Sequence, residues 1–265
     1  GWSGNSLGEI DLKTITYKKR PFIIGVIGPS NAGKTTFLAA IYLLLRNGHK
    51  INGFSFAGSN TLIGWENIAY FLTCKADNVI EFPPHTSRNA GRIPGMLHLK
   101  LIDSSNTDYD ILFTDAPGEW FTTWANKADD SNAIGARWID ENSDAFLLFA
   151  DCDAFTNDIG NARLELRSIA ERLRNSNKDR AVSLTWSKSD ITVDPAIKEG
   201  ISHRIGELFP IFNTFDISVK DEPKEKFHEN MLELLEWLLR FIVESNNQPI
   251  HLDIKEFDDF FFVKR

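Results

Sequence analysis

The chain has 265 residues, 42% of them hydrophobic and 25% charged, an ordinary globular composition for one large α/β domain with additions or two small domains. A formal charge of −8 and a pI near 5.3 argue against a broad nucleic-acid footprint, which needs clustered lysine and arginine. Cys74 and Cys152 lack metal-ligand spacing, so neither a disulfide framework nor a zinc site is expected.

Taken in order, residues 22–28 read as a buried strand and 34–46 as a helix carrying Phe37, Leu38, Ile41, Leu44 and Leu45. A helix is expected over 61–74, then strands over 96–102 and 109–115 joined by the polar turn Asp103 to Asp108. Strand 145–150, helix 160–174, strand 181–186, helix 195–208, strand 211–217 and helix 224–244 follow. The last helix repeats apolar residues at Phe227, Met231, Leu234, Leu235, Leu238, Phe241 and Ile242. Strands interleaved with helices predict an α/β fold, a mainly parallel sheet covered on both faces, with one antiparallel strand pair. Ligands of such sheets sit at the carboxyl ends of the strands. With no repeat or low-complexity linker, one domain is expected: a core of about 20–245, an insertion at 51–95 and an extension at 246–265. No apolar run reaches the roughly 18 residues of a membrane span and no signal-peptide pattern is visible, so a soluble, cytoplasmic protein is expected.

Gly28-Pro29-Ser30-Asn31-Ala32-Gly33-Lys34-Thr35-Thr36 lies between the first strand and the first helix and meets the pattern G-x-x-x-x-G-K-[ST]. Gly28 and Gly33 permit backbone approaches that a Cβ blocks. The amides of Ser30 to Thr36 can then converge on phosphate oxygens at a helix start. Lys34 is expected to neutralise the β and γ phosphates, and the Thr35 hydroxyl to ligate Mg²⁺.

Asp115 ends a strand ahead of Ala116-Pro117-Gly118, where its carboxylate can reach Mg²⁺ through water and the Gly118 N–H can meet a γ-phosphate. Strand 181–186 leads into Ser187-Lys188-Ser189-Asp190. Guanine presents N1–H and N2–H₂ donors that one carboxylate accepts together, whereas adenine offers no such pair. Asp190 suits that role and the Lys188 stem can cover the ring face; a surface charge pair is the plainer alternative.

In this order the segments resemble the phosphate loop, DxxG and NKxD elements of Ras-like P-loop GTPases of the translation-factor-related class, over about residues 20–245. The resemblance implies a GTP/GDP site with Mg²⁺. It also makes Ser218-Val219-Lys220 similar to the SAK turn, whose backbone N–H meets guanine O6. Ser187 stands where Asn is usual, which weakens the support of that loop and leaves Asp190 intact. A narrower resemblance, to the bacterial double-GTPase group of conflict and defence systems, rests on further residues. These are Ser59-Asn60-Thr61-Leu62-Ile63-Gly64-Trp65-Glu66, Pro84-His85-Thr86-Ser87, Leu97-His98-Leu99 and Asp115 to Phe121. It implies a second GTPase as partner; a homodimer also stays open.

For catalysis the candidates are Lys34, Thr86 and Glu119. Pro83-Pro84 and Gly91 bracket a loop in which Thr86 would be the mobile switch threonine on Mg²⁺, with Ser87 as its rival and a plain surface loop as the alternative. Glu119 occupies the place where Ras-like enzymes carry Gln. Its charge repels a γ-phosphate, so slow hydrolysis is expected, or help from elsewhere. A binding module with negligible hydrolysis and an ATPase on the same loop are the rivals. Arg88, Arg92 and Arg137 are candidate arginine fingers. Asn31 falls where cation-dependent GTPases carry the Asn that helps bind K⁺; the alternative is a turn residue. Trp120 and Trp124 would share a helix face, either as an interaction switch or packed under the insertion. The Phe260–Phe262 tail reads as an added strand, a core plug or a partner segment.

Overall fold

The computed structural model describes residues 4–8, 11–12, 20–73, 94–176, 179–220 and 224–246. Seven strands form one sheet: β1 (Phe22–Ile27), β2 (Phe54–Gly58), β3 (Gly95–Asp103), β4 (Asp108–Asp115), β5 (Ala145–Asp151), β6 (Ala181–Ser187) and β7 (Phe212–Asp216). Their order is β2-β3-β4-β1-β5-β6-β7. The β1, β4, β5, β6 and β7 pairings are parallel, and β3 runs against both neighbours, β4 and β2. The expected antiparallel pair is therefore β3–β4, and β2 extends it by one edge strand. The β3–β4 turn follows from its side chains. Asp103 Oδ1 accepts the N–H of Ser105 and of Thr107, each at 2.9 Å, and Asn106 takes the left-handed conformation at φ 63°.

Eight α-helices surround the sheet among the described residues: α1 (Lys34–Arg46), α2 (Leu62–Ala69), α3 (Gly118–Asn126), α4 (Ile134–Asn142), α5 (Cys152–Asn157), α6 (Ile159–Ser176), α7 (Pro195–Gly206) and α8 (Lys224–Asn246). α2 ends at Ala69 in a 3₁₀ turn over Tyr70–Leu72, earlier than the apolar pattern predicts. β2, α4 and α5 are elements the pattern does not announce.

Each central strand supplies both layers of the core. Ala145, Leu147 and Phe149 of β5 pack with α1, α2 and α8, while Phe146, Leu148 and Ala150 pack with α3, α4, α6 and α7. Trp120, Phe121 and Trp124 belong to that second layer, buried against α4 and α6 rather than beneath residues 51–73. Ser59, Asn60, Thr61, Trp65 and His98, which carry part of the double-GTPase resemblance, form a polar lock away from the loop ends. The Trp65 indole N–H donates to the His98 carbonyl at 2.8 Å. Buried His98 accepts the Asn60 N–H on Nδ1 at 2.9 Å and sets Nε2 against Asp110 at 2.9 Å. Burial lowers its pKa despite Asp110, so the ring stays neutral with its proton on the Asp110 side.

Residues 74–93 and 247–265 lie outside the described residues, and with them Cys74, Thr86, Ser87, Arg88, Arg92 and the Phe260–Phe262 tail. No helix among the described residues is long and apolar enough to cross a membrane.

Gly135 shows how α4 is seated. A Cβ there would stand 2.1 Å from the Trp120 ring. In an open helix position Gly→Ala gains up to about 1 kcal/mol, whereas overpacking a core costs about 1–3 kcal/mol, so the clash decides the sign. Gly135→Ala is expected to lower the denaturant midpoint; an unchanged or raised midpoint would show that α4 does not rest on Trp120.

Candidate functional site

β1 stops at Ile27 and the chain bends back into α1 through three positive-φ residues: Gly28 at 155°, Asn31 at 63° and Gly33 at 79°. Gly28 is required by proximity, since a Cβ would come 2.8 Å from Phe149 Cβ on β5. Gly33 is required by conformation, because its left-handed φ suits glycine and opens α1 with no side-chain cap. Asn31 is exposed at the bend and takes a left-handed conformation.

Lys34 is buried directly under this bend. Its Nζ donates to the carbonyls of Gly28 at 2.9 Å and Pro29 at 2.6 Å and lies 5.7 Å from the Phe121 ring centre. Burial lowers its pKa from 10.5 to about 8, while the carboxylates of Asp115, Glu119 and Glu165 push it back up. Thr35 Oγ1 donates to Asp115 Oδ1 at 3.0 Å, joining the start of α1 to the end of β4. A hydroxyl and a carboxylate side by side are the hard oxygen donors that suit Mg²⁺, which takes its remaining positions from water and phosphate. Among the described residues there is no group of three or more His, Cys, Asp or Glu that could hold a metal ion.

Gly118 begins α3 under a close approach. A Cβ on it would sit 2.2 Å from Ser30 N and 2.4 Å from Pro29 C. The two turns touch through backbone, so a shift in one is felt by the other. Thr122 donates from α3 to Glu165 of α6, and Glu119 stands in the first turn of α3.

On the far side, Ser187 ends β6. Its Oγ donates to the Ala150 carbonyl at 3.3 Å, and its Cβ lies 3.6 Å from where a Gly33 Cβ would be. The serine at the usual Asn position thus supports the bend from below. Asp190 accepts a hydrogen bond from Ser218 Oγ, which in turn accepts the Lys220 N–H at 3.0 Å. Ser189 N donates to the Ile217 carbonyl at 3.0 Å. The loops after β6 and β7 are therefore stitched together. Lys188 adopts φ 53° and pairs with Asp151 at 2.6 Å and Asp153 at 3.8 Å.

One cavity of about 530 Å³ joins these parts, a size suited to a nucleotide. Ser30, Asn31, Ala32, Gly33, Lys34, Thr35 and Thr36 line one end, with Gly118 and Glu119 beside them. Lys188, Asp190, Ser218, Val219 and Lys220 line the other. Asp115 stands behind, through Thr35. Arg137 is not among the lining residues: its guanidinium donates to the Ala128 carbonyl, far from the role of an internal finger. Asp153 lines the cavity and Asp151 backs it, and neither is singled out by the sequence motifs.

The double-GTPase 2 family profile matches residues 22–238, which takes in every strand and the whole cavity lining. The chain belongs to the double-GTPase 2 family. No curated protein matches its sequence. Guanine-nucleotide binding is the function class this membership carries.

In this double-GTPase the lowered Lys34 pKa has two consequences. Between about pH 8 and 10.5 the unfolded chain holds the Lys34 proton and the folded one does not, so this residue's contribution to stability rises with pH across that window. Below it, the buried ammonium is a standing cost that an arriving anion relieves. GTP binding above about pH 8 is therefore expected to take up a proton, with affinity falling as pH rises further. Calorimetry in buffers of different ionisation enthalpy reads the uptake; no proton exchange would separate Lys34 from the phosphates.

Proposed function

We propose that this chain binds GTP with Mg²⁺ in the cavity, hydrolyses it slowly to GDP and phosphate, and passes its nucleotide state to a surface read by a second GTPase. The observation that carries the reading is the one continuous cavity running from the bend over Lys34 to the Asp190–Ser218 pair. Ser30 to Thr36 would hold the phosphates through backbone amides and the Lys34 ammonium. Thr35 and Asp115 would hold Mg²⁺, which supplies charge neutralisation at the transferring phosphate. Asp190 would accept the two guanine donors, held in place by Ser218, with an amide of Ser218 to Lys220 toward O6 and Lys188 over the ring. Gly118, in backbone contact with Ser30, is suited to pass the γ-phosphate state to α3. The buried Trp120 and Trp124 face would be uncovered only if α3 lifts from α4 and α6. A partner GTPase is the reading favoured by the family's name.

Glu119 supports slow turnover. It lines the phosphate end of the cavity, where its carboxylate would meet like charge. The same residue favours a second reading, a nucleotide-dependent interaction module with negligible hydrolysis. Single-turnover GTP cleavage decides between them. Measurable cleavage that Glu119→Gln accelerates by about tenfold or more is expected; no cleavage by either protein leaves the binding module. Running the assay in KCl and NaCl tests Asn31 as a K⁺ ligand, and equal rates leave it a turn residue.

A further inference from the structure

Asp151 is buried, and its two oxygens have separate tasks. Oδ1 accepts the Asp153 N–H at 3.0 Å and caps α5, while Oδ2 takes the Lys188 ammonium at 2.6 Å. The parallel register sets Asp151, the last residue of β5, opposite Ser187, the last residue of β6, so Lys188 follows one residue beyond that pair. Capping does not call for a charge, since Ser, Thr and Asn cap helices as well. Burying a carboxylate is unfavourable unless it is paired, which leaves the lysine as the reason for the charge. Lys188 is itself held in a left-handed backbone conformation that lysine rarely adopts. Its stem lines the cavity while its head is tied back to the sheet, so it gives up the rotamer freedom an exposed lysine keeps.

We propose that Asp151 is a positioning residue for base recognition: it anchors the Lys188 ammonium so that the lysine stem forms a fixed wall for the purine. This rests on the reading of the cavity as a GTP site. Asp153, 3.8 Å from the same ammonium and half-exposed, steadies the pair from the rim.

Asp151→Asn tests it. The amide oxygen stays on the Asp153 N–H, so the –NH₂ group faces the ammonium and the clamp is lost while the cap survives. Titration with a fluorescent GTP analogue is expected to show about a tenfold weaker affinity, the scale of one charged hydrogen bond. In a Lys188→Ala background the same substitution is expected to change nothing further, because the residue acts only through the lysine. An unchanged affinity in the otherwise native protein overturns the proposal, and so does an equal loss in both backgrounds, which marks a merely structural role. If the unsubstituted protein binds no GTP, the underlying reading of the cavity fails first and is seen to fail before any variant is compared.

Discussion

A lysine ammonium buried beneath a backbone bend is the constraint around which this molecule is arranged. Two carbonyls of the bend, at 2.6 and 2.9 Å, hold Lys34 in place, and a ring lies beneath it. Burial still pulls its pKa down to about 8. The bend has little freedom to adjust. Gly28 is pressed on β5 and Ser30 on Gly118, and Ser187 lies near Gly33, so three strand ends meet at one loop. A sheet with β1 at its centre provides that convergence, because β4 and β5 flank β1 and deliver their carboxyl ends to the same edge. The charge is costly without an anion and well placed for one.

The two layers of the core divide the labour. The α1, α2 and α8 layer is closed by the His98 lock and by stacked Tyr42 and Trp65, whose ring centres are 5.6 Å apart. Residues shared with the double-GTPase resemblance therefore include a structural group as well as a site group, and Trp65 and His98 belong to the first. The opposite layer contains α3, which begins at the Gly118 contact and carries its tryptophans into packing against α4. A nucleotide-driven change read at Gly118 would act through this second layer, since that cavity-lining turn leads straight into α3.

Sequence carried the fold where one strand or helix buries its own stripe. β1, α1, β4, β5, β6 and α8 lie within a residue or two of the bounds their apolar patterns predict. β2 escaped because it is a short edge strand, Phe-Ser-Phe-Ala-Gly, whose three middle residues are exposed. α4 escaped because its buried face is made largely of small residues, Gly135 and Ala136 with Ile139, which yield little apolar signal. At the site, the glycine-rich bend and the Asp190 turn were legible because their chemistry is local. The Asp151–Lys188 pair and the Ser218–Asp190 bond were not, since each joins loops 37 and 28 residues apart that only the parallel register makes neighbours.

In the proposed function, Asp190, held by Ser218, reads the base of a triphosphate seated over Lys34. Xanthine carries a carbonyl where guanine carries its 2-amino group, so exchanging the carboxylate acceptor for an amide donor inverts the match. The most direct measurement is the binding of GTP and xanthosine triphosphate, in magnesium buffer, to the native protein and to Asp190→Asn. The native protein is expected to prefer GTP and the variant xanthosine triphosphate. A variant that keeps its GTP preference, or a native protein that does not distinguish the two, would show that Asp190 does not read the base.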